Sequence, residues 1–492
     1  MRRVIDAIFV LGLGQAMVLL CGIATVKIMA VVAGTAAVGA FSLIRGFQQV
    51  CTALGSFGNA NWIVQGIASG RKATDSLGFA RAAWWISVGA AVAIFVVAVV
   101  LGPASVFGAK GTEDVFSRAI VSWIAVASVL GIVLNFFRAW LLARLRIGKV
   151  TRVNVLSGLV SIVLAWPIAR SMRGGNYELS AVLLVVSLGV GAVAAALYCM
   201  RIGPEERPGN LLRRPSMAMV GMTLSIAVPT LAVYSVGVVT VFVLRMLAAR
   251  EFGVSAAGMF DAAWTVSTVG LGMLLTTVSN YLLPATGMED SHSKRLFLFE
   301  ASLRSVMFIA LPLIVGVICT REVLLRIFYS HEFLPAADML RWMLIGDYLK
   351  ITGWLLATVA YARRYILAYG IIESIWCITA LTLSWGLTAR GESIEAFGIA
   401  YLGAHVLYFL SWVGYAARRG FFSFTRRTAM FWTGGLFLVI GASAAAWNPS
   451  RLRPMDIALV LLVTAAFLLA ASKKSERAAL VRTSLNALKQ LR

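Results

Sequence analysis

Residues 27–41 read KIMAVVAGTAAVGAF, and residues 245–260 read RMLAAREFGVSAAGMF. Both stretches contain a glycine, a second glycine five residues later and a phenylalanine two residues after that: Gly34, Gly39 and Phe41 in the first copy, Gly253, Gly258 and Phe260 in the second. A long apolar run with a cation near its end precedes each copy, and another apolar run follows it. The pattern predicts a helix, a tight glycine turn and a second helix, made twice in one chain, as in transporters built from internal repeats.

The composition decides the class of protein. The chain has 492 residues, of which 60% are hydrophobic and only 13% are charged, whereas about a quarter of the residues in an ordinary soluble domain are charged. Apolar runs of about 18 residues or more, the length that crosses a bilayer as a helix, recur from end to end. The sequence therefore predicts an all-α polytopic membrane protein.

Apolar runs, taken in order, predict fourteen transmembrane helices. Their expected ranges are 8–33, 40–66, 82–101, 119–142, 153–169, 179–200, 217–244, 257–284, 300–319, 336–360, 365–388, 397–417, 429–447 and 455–472. Twelve of them would form two six-helix bundles, and the last two would be additional C-terminal helices.

The distribution of charge predicts the orientation in the membrane. When the connections are assigned to alternate sides, one side receives the paired cations, among them Arg71 with Lys72, Arg363 with Arg364, and Arg418 with Arg419. By the positive-inside rule that side is cytoplasmic, and both termini are then cytoplasmic. The net charge of +23 is accounted for by topology, so it does not predict binding to nucleic acid.

The chain divides at its longest polar stretch, RIGPEERPGNLLRRPS, which contains three prolines and reads as a cytoplasmic linker over 201–216. The expected domains are an N-terminal six-helix bundle (1–200) and a C-terminal one (217–417), followed by two helices (418–472) and a basic amphipathic cytoplasmic tail (473–492). Because each bundle has an even number of helices, a pseudo-twofold axis along the membrane normal should relate them, with a cavity between them.

Charged and polar side chains within the spans are the candidates for function, because one charge at the bilayer centre costs about 2.5–3.5 kcal/mol. The candidate substrate-binding residues are Lys27, Arg45, Gln48, Gln49, Arg245, Arg304 and Lys350. Lys27, Arg45 and Arg245 are the strongest of these, since they lie beside the repeated element. Within the spans cations outnumber acids, so a cavity lined by them would be positive and would suit a phosphate or pyrophosphate.

Four titratable side chains within the spans are candidates for ion coupling: Asp261, Asp347, Glu373 and His405. Each has a purely structural alternative. Asp347 and Lys350 are three residues apart and would form a pair on one helix. Glu373 would pair with a cation on a neighbouring helix, His405 would be a buried core residue, and Asp261 would cap the eighth span. The sequence does not select among these interpretations.

Enzymatic motifs are missing from the sequence. The three histidines, His292, His331 and His405, are far apart and lack metal-ligand spacing, and the chain has no phosphate-binding loop and no nucleophile elbow. The predicted connections outside the membrane are short, which argues against a membrane glycosyltransferase or polymerase and against a nucleotide-driven pump. The sequence thus predicts a protein that is not an enzyme and has no catalytic residue, metal or cofactor.

Residues 26–68, VKIMAVVAGTAAVGAFSLIRGFQQVCTALGSFGNANWIVQGIA, resemble the opening of bacterial O-antigen and polysaccharide flippases, above all the translocases of common-antigen and O-antigen units. The shared features are the cation that ends the first helix, the glycine-bounded turn, the polar segment Phe47-Gln48-Gln49 and the small-residue region from Gly55 to Gly58. Where that family often has a cation in the polar segment, this chain has Gln48, with Arg45 one turn earlier. Lys27 therefore carries over directly, and Arg45 less directly.

The resemblance implies membership of the multidrug, oligosaccharidyl-lipid and polysaccharide exporter superfamily, whose members work by alternating access. The implied cargo is an undecaprenyl-pyrophosphate-linked oligosaccharide, moved from the cytoplasmic to the periplasmic leaflet of the bacterial inner membrane. Expected partners are that polyprenyl-pyrophosphate-linked glycan, the lipid bilayer, and a polysaccharide polymerase with its chain-length machinery. Alternatives are a peptidoglycan-precursor flippase, a multidrug or cation exporter, a membrane glycosyltransferase or polymerase, and a non-transporting scaffold.

Overall fold

The computed structural model describes residues 2–57, 61–69, 73–106, 115–202, 211–288, 291–447 and 454–471, and these are almost all helical. The helices are α1 (Arg2–Gly55), α2 (Asn61–Ser69), α3 (Ala73–Val106), α4 (Arg118–Ala143), α5 (Ile147–Met172), α6 (Glu178–Met200), α7 (Met217–Phe252), α8 (Val254–Met288), α9 (His292–Phe328), α10 (Ala336–Ala362), α11 (Ile366–Thr388), α12 (Ala396–Arg418), α13 (Arg426–Ala445) and α14 (Pro454–Ala471). A short 3-10 helix, His331–Phe333, lies between α9 and α10.

The helices account for the predicted spans. In the described ranges, eleven helices are long and apolar enough to cross a membrane, and α8, which is bent by 42°, makes a twelfth. The backbone at Gly34 divides α1 into two segments, and α14 is a shorter apolar helix. With these two additions the helices match the fourteen predicted spans, and the predicted fold class is confirmed.

One predicted boundary is wrong. The sequence predicts a second span over 40–66, but α1 ends at Gly55 and a separate helix begins at Asn61. Phe57 turns the chain here with φ at 51°, in the left-handed region. Hydropathy does not register this turn, because its residues are as small or apolar as those of the helix before it.

Two further predictions concern stretches that lie wholly or partly outside the described residues. The predicted tail over 473–492 and residues 203–210 of the predicted linker lie outside the described residues. Helix α7 begins after Ser216, which is its N-cap, and the Ser216 hydroxyl accepts the N–H of Met219 at 3.3 Å. A serine in this position satisfies one of the N–H groups that the first turn of a helix leaves free.

By contact, the chain forms two compact units. Unit 1 consists of Met1–Ala263, Leu325–Ala336 and Glu373–Ala400. In it α1 packs on α4, α5 and α7, and α4 packs on α3 and α6. A cluster of large buried aromatic side chains holds α2, α3 and α4 together: Trp62, Phe79, Phe136 and Trp140.

Unit 2 consists of Trp264–Leu324, Ala337–Ile372 and Tyr401–Arg492. Two of its large buried aromatic side chains, Tyr348 and Trp432, have their polar groups paired, as an apolar surrounding requires. The hydroxyl of Tyr348 donates to the carbonyl of Trp432 at 2.7 Å, and the Trp432 indole N–H donates to Thr352 at 2.9 Å. The two units are defined by contacts, and each contains several separate stretches of the chain. The domain boundaries expected from the sequence therefore stay a prediction.

The two sequence copies adopt the same backbone conformation in unit 1. Gly34 has φ and ψ of 79° and −170°, and Gly253 has 85° and 167°. Positive φ with ψ near 180° is accessible essentially to glycine alone, because a side chain would clash with the backbone. The glycine that opens each copy is therefore required by the turn, and the repeat in the sequence is also a repeat in structure.

The copies also face each other. An ideal Cβ on Gly39 would lie 1.9 Å from the carbonyl oxygen of Val254, and one on Gly258 would lie 2.7 Å from that of Thr35. Val254 and Thr35 each follow the glycine that opens their copy, so the two contacts are equivalent. The second segment of α1 and the start of α8 thus cross backbone to backbone in a local twofold arrangement.

Candidate functional site

Asp261, Arg45 and Arg245, here called the Asp261 cluster, lie together in unit 1. Arg245 Nη2 is 2.7 Å from Asp261 Oδ1, and Arg45 Nη2 is 3.1 Å from Oδ2. The Asp261 side chain is 2% exposed, that of Arg245 7% and that of Arg45 27%. One carboxylate therefore holds two guanidinium groups, which leaves a formal charge of +1 in a largely buried place.

The cluster lies deep along its helices. At about 1.5 Å per residue, Arg45 is about 16 Å from the helix break at Gly34, and Asp261 is about 12 Å from Gly253. The apolar part of a bilayer is about 30 Å thick, so each distance is about half of that thickness. Asp261 is the eighth residue of α8, which begins at Val254, so it is not a capping residue.

Small and aromatic residues form the walls around the cluster. A Cβ on Gly46 would lie 3.1 Å from Arg245 Nη1 and 3.0 Å from the Phe242 ring, so the guanidinium occupies space that this glycine leaves open. The Phe242 ring stacks on Phe47 with centroids 5.8 Å apart. Arg45 lies over the ring of Phe41, 5.6 Å from its centroid. These largely apolar surroundings strengthen charge interactions.

Two N–H donors of the cluster lack a hydrogen-bond partner among the described residues. The Nε atoms of Arg45 and Arg245 are buried and have no hydrogen-bond partner in the described part of the chain. A guanidinium that is half engaged by a carboxylate keeps further N–H groups for a second planar or tetrahedral oxyanion. The arrangement is chemically suited to a phosphate group that approaches from the side of Arg45, the more exposed of the two.

Lys27 lies in the first segment of α1 and makes different contacts. Its ammonium donates to the carbonyl of Arg326 at 2.8 Å and to that of Tyr329. These carbonyls belong to the C-terminal end of α9, where the helix leaves acceptors unpaired and its dipole favours a cation. Two of the three N–H donors of Lys27 are thus engaged by the protein.

The two predicted glutamines point to different faces of α1. Gln48 is buried, and its amide donates to the hydroxyl of Thr52 at 2.7 Å. Gln49 is exposed. Glu373, predicted as a candidate for ion coupling, accepts the indole N–H of Trp376 on its own helix at 2.9 Å.

A second polar group, here called the Asp347 network (Asp347, Ser267, Tyr401 and Lys350), lies in unit 2. Asp347 is fully buried and accepts the hydroxyls of Ser267 at 2.5 Å and Tyr401 at 2.6 Å. Lys350 Nζ is 3.2 Å from the Tyr401 hydroxyl and 3.9 Å from Asp347 Oδ1. The predicted pair on one helix is therefore joined through a tyrosine of α12.

The remaining predicted residues also lie in unit 2. His405 is buried, its Nδ1 is 2.9 Å from the carbonyl oxygen of Tyr401, and its ring lies on the Tyr401 ring with centroids 4.0 Å apart. The histidine therefore adjoins the Asp347 network. Arg304 lies over the ring of Phe431, 6.0 Å from its centroid.

Sequence reasoning missed Ser267, Tyr401 and Glu332. Ser267 and Tyr401 are uncharged and belong to no motif. The sequence therefore singled out their charged partner Asp347 and not these two residues. Glu332 is a single acid in a short connection, yet its carboxylate accepts the N–H of Thr35 at 3.2 Å, beside the break at Gly34. Within the described ranges no group of three or more His, Cys, Asp or Glu side chains is arranged to hold a metal ion.

Comparisons with known proteins agree with this architecture. The sequence profile of a family described as polysaccharide biosynthesis protein matches residues 28–338. The chain is similar to the lipid III flippase of Escherichia coli (strain K12), with 22% identity over 270 residues, which cover 52% of this chain and 61% of the relative. The lipid III flippase of Shigella flexneri matches to the same extent. The chain thus spans about three fifths of the length of these relatives.

Two solved structures share the fold. An inward-facing multidrug resistance MATE family transporter of the MOP superfamily matches with a TM-score of 0.67 and 15% identity, over 84% of this chain and 98% of the other. The lipid II flippase MurJ, in an inward closed conformation, matches with a TM-score of 0.69 and 11% identity, over 97% and 100%. At such low identity these likenesses establish the fold alone.

Proposed function

Because the chain belongs to the polysaccharide biosynthesis protein family, we propose that it is a flippase for lipid-linked oligosaccharide. Its cargo is an undecaprenyl-pyrophosphate-linked oligosaccharide repeat unit. The protein moves this unit from the cytoplasmic to the periplasmic leaflet of the bacterial inner membrane for surface polysaccharide assembly. A polysaccharide polymerase and its chain-length machinery then use the delivered unit, and both termini of the flippase are cytoplasmic.

The Asp261 cluster carries this proposal. Two guanidinium groups on one buried carboxylate give a net positive site near the middle of the bilayer, with unused N–H donors. A pyrophosphate crossing the membrane needs such a site, because its charges would otherwise lose their hydration without compensation. Arginine binds phosphate oxygens through paired N–H groups and keeps its charge when buried.

The order of the cations along α1 suggests a path. Arg45 is about 16 Å from Gly34 and Lys27 about 10 Å from it, counted along the helix. The pyrophosphate binds at Arg45 and Arg245 first and reaches Lys27 as it approaches the outer leaflet. The sugars travel with the pyrophosphate, the polyprenyl chain stays in lipid, and the cycle follows alternating access.

The Asp347 network is the candidate for coupling transport to an ion gradient. Asp347 is buried, and Ser267, Tyr401 and Lys350 surround it with three groups that donate to or exchange protons with a carboxylate. When this network gains or loses one cation, the net charge buried in unit 2 changes by one. His405 lies on the ring of Tyr401 and belongs to the same proposal.

The alternatives differ in the charge that their cargo carries. A drug or cation exporter needs acids that are free to bind a cation, whereas both oxygens of Asp261 are held by arginines. A peptidoglycan-precursor flippase has a pyrophosphate cargo too, so the Asp261 cluster does not separate it from our proposal. The short connections that the structure describes, such as the one between α10 and α11, offer little room for the site of a glycosyltransferase.

The test is to follow lipid-linked oligosaccharides in cells that lack the protein, with an impermeant sugar-labelling reagent reporting the leaflet. We expect accumulation on the cytoplasmic face and loss of surface polysaccharide. Complementation with Arg245→Gln should fail, while Arg250→Gln, an exposed arginine paired with Glu251 at 3.5 Å, should restore transport. Units that reach the outer face unpolymerised would point to a polymerase, and an unchanged pool would exclude the flippase.

A further inference from the structure

Residues 329–335, here called the strap, connect α9 to α10. Farther along the chain on either side, Trp264–Leu324 and Ala337–Ile372 belong to unit 2. The intervening Leu325–Ala336 groups by contact with unit 1. The chain thus enters unit 1 for one short connection and leaves it again.

Two charges hold the strap against the break in α1. The ammonium of Lys27 donates to the carbonyls of Arg326 and Tyr329, at the C-terminal end of α9. The carboxylate of Glu332 accepts the N–H of Thr35, the first residue after Gly34. A cation thus lies at the C-terminal end of one helix and an anion at the N-terminal start of another, as the two helix dipoles favour.

These contacts are strong enough to order the strap and weak enough to release it. Both side chains are partly solvated, since Lys27 is half-buried and Glu332 is exposed. A single charge at a helix end changes an equilibrium by about two- to five-fold. The buried rings of Tyr329 and Phe333 pack with centroids 4.9 Å apart, which helps to fix the position of the strap.

Only one of the two copies is covered in this way in the described part of the chain. A Cβ on Gly34 would lie 3.1 Å from Glu332 Oε2, whereas nothing lies within 4 Å of a Cβ on Gly253. The strap therefore breaks the local symmetry of the repeat. The turn itself does not require this cover, because the equivalent turn at Gly253 adopts the same backbone conformation without one among the described residues.

We propose that the strap is a catch that the anionic cargo itself releases through Lys27; this inference rests on the proposed function. A phosphate oxygen is a stronger acceptor for an ammonium than a peptide carbonyl, so a pyrophosphate at Lys27 replaces the carbonyls of Arg326 and Tyr329. The bound anion also repels the carboxylate of Glu332, which then leaves Thr35. Both charged contacts weaken together, so the strap opens more readily once cargo has arrived.

The Asp261 cluster lies close to the strap. The phenol of Tyr329 interacts electrostatically with Arg245, and the backbone carbonyl of the same residue accepts from Lys27. An anion that moves from the cluster toward Lys27 therefore passes the anchor of the strap. Lys27 and Glu332 are positioning residues in this scheme: they report the arrival of cargo and make no bond in a chemical step.

Hydrogen exchange of the full-length protein in nanodiscs, followed by mass spectrometry, tests the strap directly. Without ligand, Lys27→Ala and Glu332→Gln should each speed exchange about two- to five-fold in peptides covering 30–38 and 326–336. Inorganic pyrophosphate should produce the same rise in the wild type and no further rise in Lys27→Ala. Lys27→Arg should regain the response, and Arg250→Gln, the matched control, should behave as the wild type.

The outcomes separate this inference from the proposed function. Unchanged exchange in Glu332→Gln, an exposed and mild substitution, overturns the catch even if Lys27→Ala fails to fold. An unchanged strap with pyrophosphate, in a protein that still delivers its cargo to the outer leaflet, also overturns it and leaves the flippase standing. A responsive strap in a protein whose loss leaves lipid-linked pools unaltered overturns the flippase instead.

Discussion

Gly39 and Gly258 lie face to face: a Cβ on Gly39 would be 3.2 Å from the backbone nitrogen of Gly258, and one on Gly258 would be 2.9 Å from that of Gly39. The crossing brings the second segment of α1 against the start of α8. Since Arg45 follows Gly39 by six residues and Asp261 follows Gly258 by three, this approach is what allows Arg45 to reach Asp261.

Substitution of either crossing glycine should separate the helices. Gly39→Ala and Gly258→Ala each place a methyl group within van der Waals radii of backbone atoms that cannot rotate away, at a cost of about 1–3 kcal/mol. We expect a lower melting temperature of the purified protein and loss of transport. Gly22→Ala is the control, because nothing lies within 4 Å of a Cβ there. Wild-type stability of both crossing variants would mean that the helices do not pack this closely.

The glycines that open the two copies should resist substitution for a different reason. Gly34 and Gly253 have φ of 79° and 85°, a conformation that costs a residue with a side chain about 1–3 kcal/mol. Gly34→Ala and Gly253→Ala should therefore both lower the melting temperature. Gly89→Ala, in the helical backbone of α3 with open space around it, should leave it unchanged or raise it. A destabilised Gly89→Ala together with tolerated Gly34→Ala would contradict the assigned backbone.

Substitutions of the two arginines of the Asp261 cluster should lower the stability of the protein by different amounts, and both should abolish transport. Arg245→Gln leaves a buried carboxylate with one partner, and loss of a buried ion-pair partner costs about 3–5 kcal/mol. Arg45→Gln should cost less, because its side chain is 27% exposed. Both variants should fail to transport in the leaflet assay.

A double variant separates charge balance from cargo binding. Arg245→Gln with Asp261→Asn removes both members of the closest ion pair, so we expect most of the lost stability to return. Transport should stay absent, because one of the two guanidinium groups is still missing. Recovery of transport in the double variant would mean that the cluster is only structural.

The tyrosine of the Asp347 network should matter for stability. Tyr401→Phe removes a hydrogen bond of 2.6 Å to a fully buried carboxylate, and a buried acceptor that loses its donor costs about 1–3 kcal/mol. The melting temperature should fall accordingly. Tyr281→Phe is the control, since this tyrosine of α8 is 62% exposed. Equal melting temperatures for the two variants would exclude the proposed role of Tyr401.

The sequence predicted the helices correctly where hydropathy marks them, and the prediction failed at a turn that hydropathy does not mark. Each of the helices α3 to α14 overlaps a predicted span, because a bilayer requires long apolar runs in the chain itself. The end of α1 at Gly55 escaped prediction, since the turn that follows is made by apolar and small residues. The repeat was visible because glycine at Gly34 and Gly253 is imposed by local backbone geometry.

For the candidate site, the sequence identified residues but not their partners. Arg45 and Asp261 are 216 residues apart and Tyr401 and Asp347 are 54 apart, so no local pattern joins them. The preference for Lys27, Arg45 and Arg245 rested on their place beside the repeat. That place does not reveal that Arg45 and Arg245 share one carboxylate, or that Lys27 is engaged by the end of α9.

The sequence by itself determined the helices, the glycine turns and the excess of cations inside the membrane. Each of these is a property of a few consecutive residues in the apolar interior of a bilayer. Only the tertiary structure decided which charges meet. The close crossing at Gly39 and Gly258 brings Asp261 to the two arginines, and the return of the strap to α1 brings Glu332 to Thr35. Such meetings depend on how helices pack, and packing is a property of surfaces assembled from distant parts of the chain.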